Sequence, residues 1–293
     1  MSQGDILVIG ATSLVGRYLL PRLAEHGHSV HAISRRPLDA SAPGARWFRI
    51  DVAHEAAALP PAPTAIHLAP LWLAPPLVAR LADQGLDRLI AFGSTSRFTK
   101  ERSADPTERD LARRLTDAED QVRAACERQG VAWTLFRPTL IYGGGHDRNL
   151  TAMAEWARRL GFVAIAGNGR GRRQPVHADD LAAACVLALR APATRGRAYD
   201  LGGATVLTYR EMAEAVCRAS GGARVIEIPR TLLRNAFRIA SALPRYGQAT
   251  PAMVDRMEQD LVVDHTAAQR DFGYAPRAFA YPDGAQIVVP PAR

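Results

Sequence analysis

Residues 5–16 read DILVIGATSLVG, a short apolar run, a glycine, and then a segment with helical spacing. An apolar strand that ends in glycine and turns at once into a helix opens a βαβ unit. In such a turn Gly10 permits the tight bend and Gly16 lets the helix pack close to the strand. The first amides of the helix can then hold a pyrophosphate. A glycine pattern alone also fits a plain strand-to-helix turn, so the rest of the chain has to decide.

The surroundings favour the nucleotide fold. SLVGRYLLPRLAEHG (13–27) has helical periodicity and a glycine stop. HSVHAIS (28–34), ARWFRID (45–51), TAIHLAP (64–70), RLIAFGS (88–94) and WTLFRPTLIYG (133–143) read as further strands. Between them lie the helix-like APPLVARLADQG (74–85) and a long segment, 105–130. Strands alternating with helices imply an α/β, doubly wound parallel sheet of the Rossmann type. In the long segment Asp105 can cap, Pro106 suits the first helical position and Glu108 completes a capping-box pattern. Its apolar residues Leu111, Leu115, Ala118, Val122 and Ala125 fall on one face.

Beyond residue 143 the alternation loosens into loops, GGGHDRN (143–149), GNGRGRRQP (167–175) and LGGAT (201–205). Between the loops lie two helix-like segments (177–192 and 208–222) and a short strand, RVIEIP (224–229). Residues 230–262 read as a helix broken by Pro244 and Gly247. The expected organisation is a dinucleotide-binding domain over 1–143, completed by about 177–200. A smaller C-terminal α/β substrate-capping portion then takes 144–176 and 201–293.

With 293 residues, 47% hydrophobic and 23% charged, the chain has ordinary globular composition and ample material for a core. No apolar run approaches the ~20 residues of a membrane span, and the N-terminus leads straight into a strand, so no signal peptide is expected. Cys126, Cys185 and Cys217 sit in helix-like stretches, which reads as reduced thiols in a cytoplasmic protein. No cluster of His, Cys and carboxylates has metal spacing. The formal net charge is +8, but the arginines are spread along the chain without a basic tail or interleaved aromatics. That points to a surface attracting small phosphorylated molecules and not to nucleic acid. Of 37 strong bases only Lys100 is a lysine. Lysine can give up its proton under desolvation and arginine cannot, so Lys100 is either a site arginine cannot serve or a solvated loop charge.

The end of the second strand bears on the cofactor. An acid there would bind a ribose 2′-hydroxyl, whereas this chain has Ser34-Arg35-Arg36. Arginine suits a 2′-phosphate, so NADP is favoured, with NAD as the alternative.

With these motifs in view, the chain resembles the extended short-chain dehydrogenase/reductase superfamily, in its nucleotide-sugar epimerase/dehydratase branch. IGATSLVG (9–16) is similar to the family's Gly-rich turn, with Ser13 replacing the usual middle glycine. The resemblance implies that Gly10, Thr12, Ser13, Leu14, Val15 and Gly16 surround the cofactor phosphates, joined by Arg35 and Arg36. In RIDV (49–52) Asp51, with Val52, falls where the family contacts adenine, and HLAP (67–70) puts Ala69 beside the ribose. FRPTLIYGGG (136–145) is similar to the strand-six signature and brings in Pro138. GNGRGRRQPVHADDLA (167–182) looks like the substrate-loop signature, with Arg173 where a diphosphate-binding arginine sits. AYDLGG (198–203) and AAQRDFGYAPRAF (267–279) also match. Asn149 is a further substrate candidate by resemblance, with His146, Asp147 and Arg148 in the same loop. A nucleotide sugar as anionic substrate and a homodimer through the long helices are further implications. Asp179 and Asp180 are expected to cap the returning helix, with His177 a packing or loop residue.

The resemblance breaks at the reacting acid. The family uses a Ser/Thr, a Tyr and a Lys, the last two spaced Tyr-x-x-x-Lys on one helix face. The lysine lowers the phenol's pKa from ~10 so that tyrosine can pass a proton as hydride moves. AFGSTS (91–96) supplies the hydroxyl, Thr95 by register, with Ser94 and Ser96 adjacent. Leu111 and Leu115, however, occupy the Tyr and Lys positions, and no tyrosine occurs between Tyr18 and Tyr142. The substitute this sequence offers is Lys100, in a loop at the carboxyl end of a strand, where open α/β sheets bind ligands. Arg97 could pair a substrate phosphate or carboxylate. Tyr142 is a weaker substitute with a packing role as the alternative. Three functions stay open: an epimerase/dehydratase-like oxidoreductase with altered acid/base residues, a non-catalytic dinucleotide binder serving as a sensor or assembly subunit, and an atypical reductase or isomerase of a non-sugar substrate.

Overall fold

The computed structural model describes residues 3–35, 44–54, 58–147, 149–241 and 250–282. Its centre is a seven-stranded sheet. The first six strands are β1 (Gln3–Ile9), β2 (His28–Ser34), β3 (Ala45–Arg49), β4 (Thr64–His67), β5 (Arg88–Phe92) and β6 (Ala132–Pro138). The chain then leaves the sheet through four short strands, β7 (Ile141–Tyr142), β8 (Phe162–Ala166), β9 (Arg172–Arg173) and β10 (Val176–His177). It returns as β11 (Arg197–Leu201), giving the order β11-β6-β5-β4-β1-β2-β3 with every pairing parallel. Strand order reverses between β1 and β4, the switch point beside which such sheets bind ligands.

Helices cover both faces, and all five residues of β5 are buried. On one face α1 (Leu14–Glu25) packs against α6 (Ala178–Arg190), with Leu19, Leu23, Leu181 and Cys185 in the core. On the other, α2 (Pro75–Ala82) packs against α4 (Pro106–Gln129), with Leu77, Leu81, Val122 and Cys126 inside. Between β5 and α4 lies the one-turn α3 (Ser96–Thr99).

Outside the sheet are α5 (Leu150–Leu160), α7 (Tyr209–Ala219), α8 (Arg230–Ser241), α9 (Pro251–Arg256) and α10 (Thr266–Phe272). Two strands complete the list, β12 (Leu207–Thr208), antiparallel to β9, and β13 (Arg224–Ile228), parallel to β8. Pro244 and Gly247, where a break in 230–262 was expected, lie outside the described residues. Among the described residues no helix is long and apolar enough to cross a membrane.

Two local expectations are corrected. Glu108 does not close a capping box: Asp105 Oδ1 accepts from Thr107 N at 2.9 Å, but the Asp105 amide bonds Ser103 Oγ at 3.2 Å. Glu108 is drawn away by stronger partners described below. Nor do Asp179 and Asp180 cap α6. His177 is the cap, its Nδ1 accepting from Asp179 N at 3.1 Å, while its ring lies between Tyr18 and Tyr142. The two aspartates occupy the first turn, where the helix dipole favours them, and pair with Arg22 and Arg277.

Candidate active site

At the carboxyl ends of the strands lies a cavity of about 770 Å³. Its floor on the β1 side is the turn into α1. Gly10 has φ +80°, and a Cβ there would stand 2.8 Å from Ala69 N; a Cβ on Gly16 would collide with the Ala11 carbonyl. The two turns, 10–16 and 68–70, thus touch backbone to backbone. Ser13, Leu14 and Val15 line the cavity with Leu68, Ala69 and Pro70. Ser13 caps α1, its hydroxyl accepting from Gly16 N at 3.1 Å. The first turn of α1 holds no carboxylate, in contrast to α6 with two. These features fit a dinucleotide pyrophosphate, with the Ser13 hydroxyl proton still free to donate.

The remaining cofactor candidates follow the edge of the sheet. Thr12 Oγ1 lies 3.2 Å from Ser34 Oγ, and Arg35 is exposed at the end of β2. Arg36 lies outside the described residues. Asp51 Oδ1 accepts from Ala53 N at 3.0 Å, and Val52 is buried. Beneath the 68–70 turn, His67 is 1% exposed and its Nε2 contacts Pro70 O at 3.2 Å. Burial pushes its imidazole down to about 4, so it is neutral at physiological pH.

The hydroxyl-bearing loop forms the middle of the cavity. Ser94, Thr95 and Ser96 all line it, as does Pro138 opposite. Thr95 is tied to β6 twice: its amide and its Oγ1 both donate to Pro138 O, at 3.2 and 3.1 Å. Leu111 and Leu115 face the same space from α4 and give the cavity an apolar wall.

Lys100 also lines this cavity. Its Nζ is 3.5 Å from Glu108 Oε1, which also accepts from the Arg256 guanidinium on α9. Glu108 Oε2 accepts from Ser103 Oγ at 2.8 Å. In the sequence Glu108 reads only as a capping residue, although it stands three residues before Leu111 on the same helical face. Arg97 is not among the lining residues. It pairs with the buried Glu119, over which Arg137 also closes.

The far end holds the substrate candidates. Asn149 and Arg173 both line the cavity. Arg173 is 4% exposed and donates to the carbonyls of Arg172, Gln259 and Arg256 at 2.6–2.9 Å. Its guanidinium also lies over the Tyr209 ring, and burial pushes its pKa down to about 10. A guanidinium held among neutral carbonyls keeps its net charge for an arriving anion. Arg172, by contrast, is paired with Asp260 at 2.8 Å. Asp147 Oδ1 accepts from Asn149, Leu150 and Thr151 amides at the start of α5, and Arg148 lies outside the described residues. His146 lines the cavity, its pKa lowered by burial and then by Arg17. Tyr142 is buried, its ring against His177 and Phe279, and does not line the cavity.

Comparison with known proteins matches these features to one family. Residues 6–69 and 73–202 fit the model described as the NAD dependent epimerase/dehydratase family. An uncharacterized protein, y4nG, of Sinorhizobium fredii is 30% identical over 205 residues, 66% of this chain and 50% of that one. The chain therefore spans about half the length of that relative. Among solved structures, MoeE5 in complex with UDP-glucuronic acid and NAD aligns with TM-score 0.71 at 20% identity, over 94% of this chain and 95% of that one. UDP-N-acetylglucosamine 4-epimerase from Bacillus cereus aligns with TM-score 0.71 at 14% identity, over 97% and 95%. At such identities the structures speak for the fold, while the match of the family model covers both the glycine turn and the segment through β11. The chain belongs to the NAD-dependent epimerase/dehydratase family.

Proposed function

We propose that the chain is an NAD(P)-dependent oxidoreductase of epimerase/dehydratase type, acting on a nucleotide sugar or a similar phosphorylated substrate through altered acid/base residues. The observation that carries this reading is the sharing of one cavity. The α1 turn, Thr95, Lys100, Asn149 and Arg173 all line it, and Leu111 and Leu115 close it where a tyrosine and a lysine are absent. NADP is the cofactor we favour, because β2 ends in Ser34-Arg35 without an acid. A bound nicotinamide supplies hydride chemistry.

In this reading Arg173 and Asn149 hold the anionic part of the substrate. Thr95 keeps its proton on Pro138 O and offers its lone pairs to the cavity, which suits holding a substrate hydroxyl. In the reductive direction the carbonyl carbon gains a hydride and its oxygen takes a proton from the Lys100 ammonium, leaving an alcohol and a neutral amine. A lost general acid costs ~10²–10⁴ in rate. The Lys100→Ala variant, assayed by chromatography of the products formed from a panel of UDP-sugars, is therefore expected to lose at least about a hundredfold. Turnover unaffected by that change would remove Lys100 from the chemistry.

The leucine wall favours a second reading, a non-catalytic dinucleotide binder. It gains if the wild type binds NADP tightly yet turns over no member of the panel.

A further inference from the structure

We infer that Glu108 is the positioning residue of this site, the group that holds the Lys100 ammonium in the cavity instead of in bulk water. The inference rests on the reading that Lys100 handles the proton. Glu108, Leu111 and Leu115 follow at spacings of three and four on one face of α4. The face that bears the leucine wall thus carries a carboxylate one turn earlier. Glu108 is 8% exposed, and its oxygens are fully engaged by Lys100 from the end of α3, Arg256 from α9 and Ser103.

Of the charged side chains near the ammonium, Glu108 and Arg256 share its ion pair, and Arg173, Asp147 and His146 line the same cavity; Arg97, on α3 itself, is turned to Glu119. Two cations from separate elements therefore meet on one carboxylate. Without it they repel, and the lysine side chain, with rotamer entropy to regain, swings out to water. The Glu108 carboxylate belongs to α4, whereas Arg256 comes from a part of the chain 148 residues away. The residue that pairs with Lys100 thus also ties α9 to the cavity, beside the bond from Arg173 to the Arg256 carbonyl.

Lys100 is the only lysine among these 293 residues, so labelling this chain with ¹⁵N,¹³C-lysine yields one side-chain signal. In the wild type an ammonium held by a buried carboxylate exchanges slowly enough for its ¹⁵N–H correlation to be seen near neutral pH. In Glu108→Gln, which can keep the Ser103 bond, that signal is expected to broaden beyond detection while circular dichroism stays that of the wild type. A wild type lacking the signal, or a folded Glu108→Gln that keeps it, overturns the inference. Should Glu108→Gln not fold, Arg256→Ala decides: with Glu108 left to Lys100 alone the signal persists, and its loss overturns the assignment. None of these measurements depends on turnover. A Lys100→Ala enzyme of unchanged activity would therefore remove the proposed chemistry and leave the placement of Lys100 by Glu108 to stand or fall separately.

Discussion

Gly93 and Glu119 lie against each other at the base of the cavity: a Cβ on Gly93 would stand 2.7 Å from Glu119 Oε1. The missing side chain lets a carboxylate only 2% exposed sit beneath the Thr95 loop and hold Arg97 and Arg137 together. Removing one partner of a buried charge cluster costs about 3–5 kcal/mol, because the others are left uncompensated. Glu119→Gln is expected to lower unfolding free energy by that order in a urea titration. A loss under about 1 kcal/mol, the range of a surface pair, would show the two guanidinia to be satisfied by other means.

His67 makes stability depend on acid. Burial pushes its folded imidazole down to about 4 from the ordinary 6.5, so the unfolded chain binds the extra proton between those limits. Stability attributable to this residue is whole above about 6.5 and falls as pH drops toward 4, at up to about 1.4 kcal/mol per pH unit. Urea titrations at pH 7 and pH 4 should show roughly 3 kcal/mol more acid destabilisation in the wild type than in His67→Gln. Equal acid sensitivity in the two proteins would place the titration elsewhere.

Gly16→Ala tests the cofactor turn. The added methyl must displace the Ala11 carbonyl or lift the start of α1, whose residues Leu14 and Val15 line the cavity. Affinity for NADP, read by calorimetry, is expected to fall at least about tenfold, or ~1.4 kcal/mol. Unaltered binding would mean that the phosphates do not rely on this helix start.

Arg35→Asp addresses the choice between the two dinucleotides. An acid at the end of β2 suits a ribose hydroxyl and repels a 2′-phosphate. The variant should lose NADP affinity by about tenfold or more and hold or gain NAD affinity in the same titration. A parallel change for both cofactors would assign Arg35 to the bulk electrostatics of the surface.

The sequence carried the sheet well because its signals are local. Apolar runs such as Leu7–Ile9 and Leu89–Phe92 are strands wherever a parallel sheet buries both faces, and Gly10 and Gly16 mark a turn whose backbone contacts admit no side chain. The cavity was legible only where a motif announced it, as with Thr95 and Arg173. Glu108 shows why the remainder was hidden. Three residues after Asp105, its local reading is a capping box, and only Lys100, Ser103 and Arg256 reveal another role. Arg97 fails for the same reason: its partner Glu119 is 22 residues away on another element. Asp179 and Asp180 look like caps until Arg22 and Arg277 claim them.

The late return of β11 to the edge of the sheet has a consequence for anyone trimming this polypeptide. β6 is covered on one side only by a strand that follows more than fifty residues of excursion, and the buried Arg88 reaches across to Thr134 and Thr194 at 2.6 and 2.8 Å. A fragment stopped after residue 143 would bare the ladder of β6 and strand a guanidinium beside it, an invitation to edge-to-edge association. Excising a free-standing nucleotide module therefore calls for splicing around the excursion, with residues 178–201 kept.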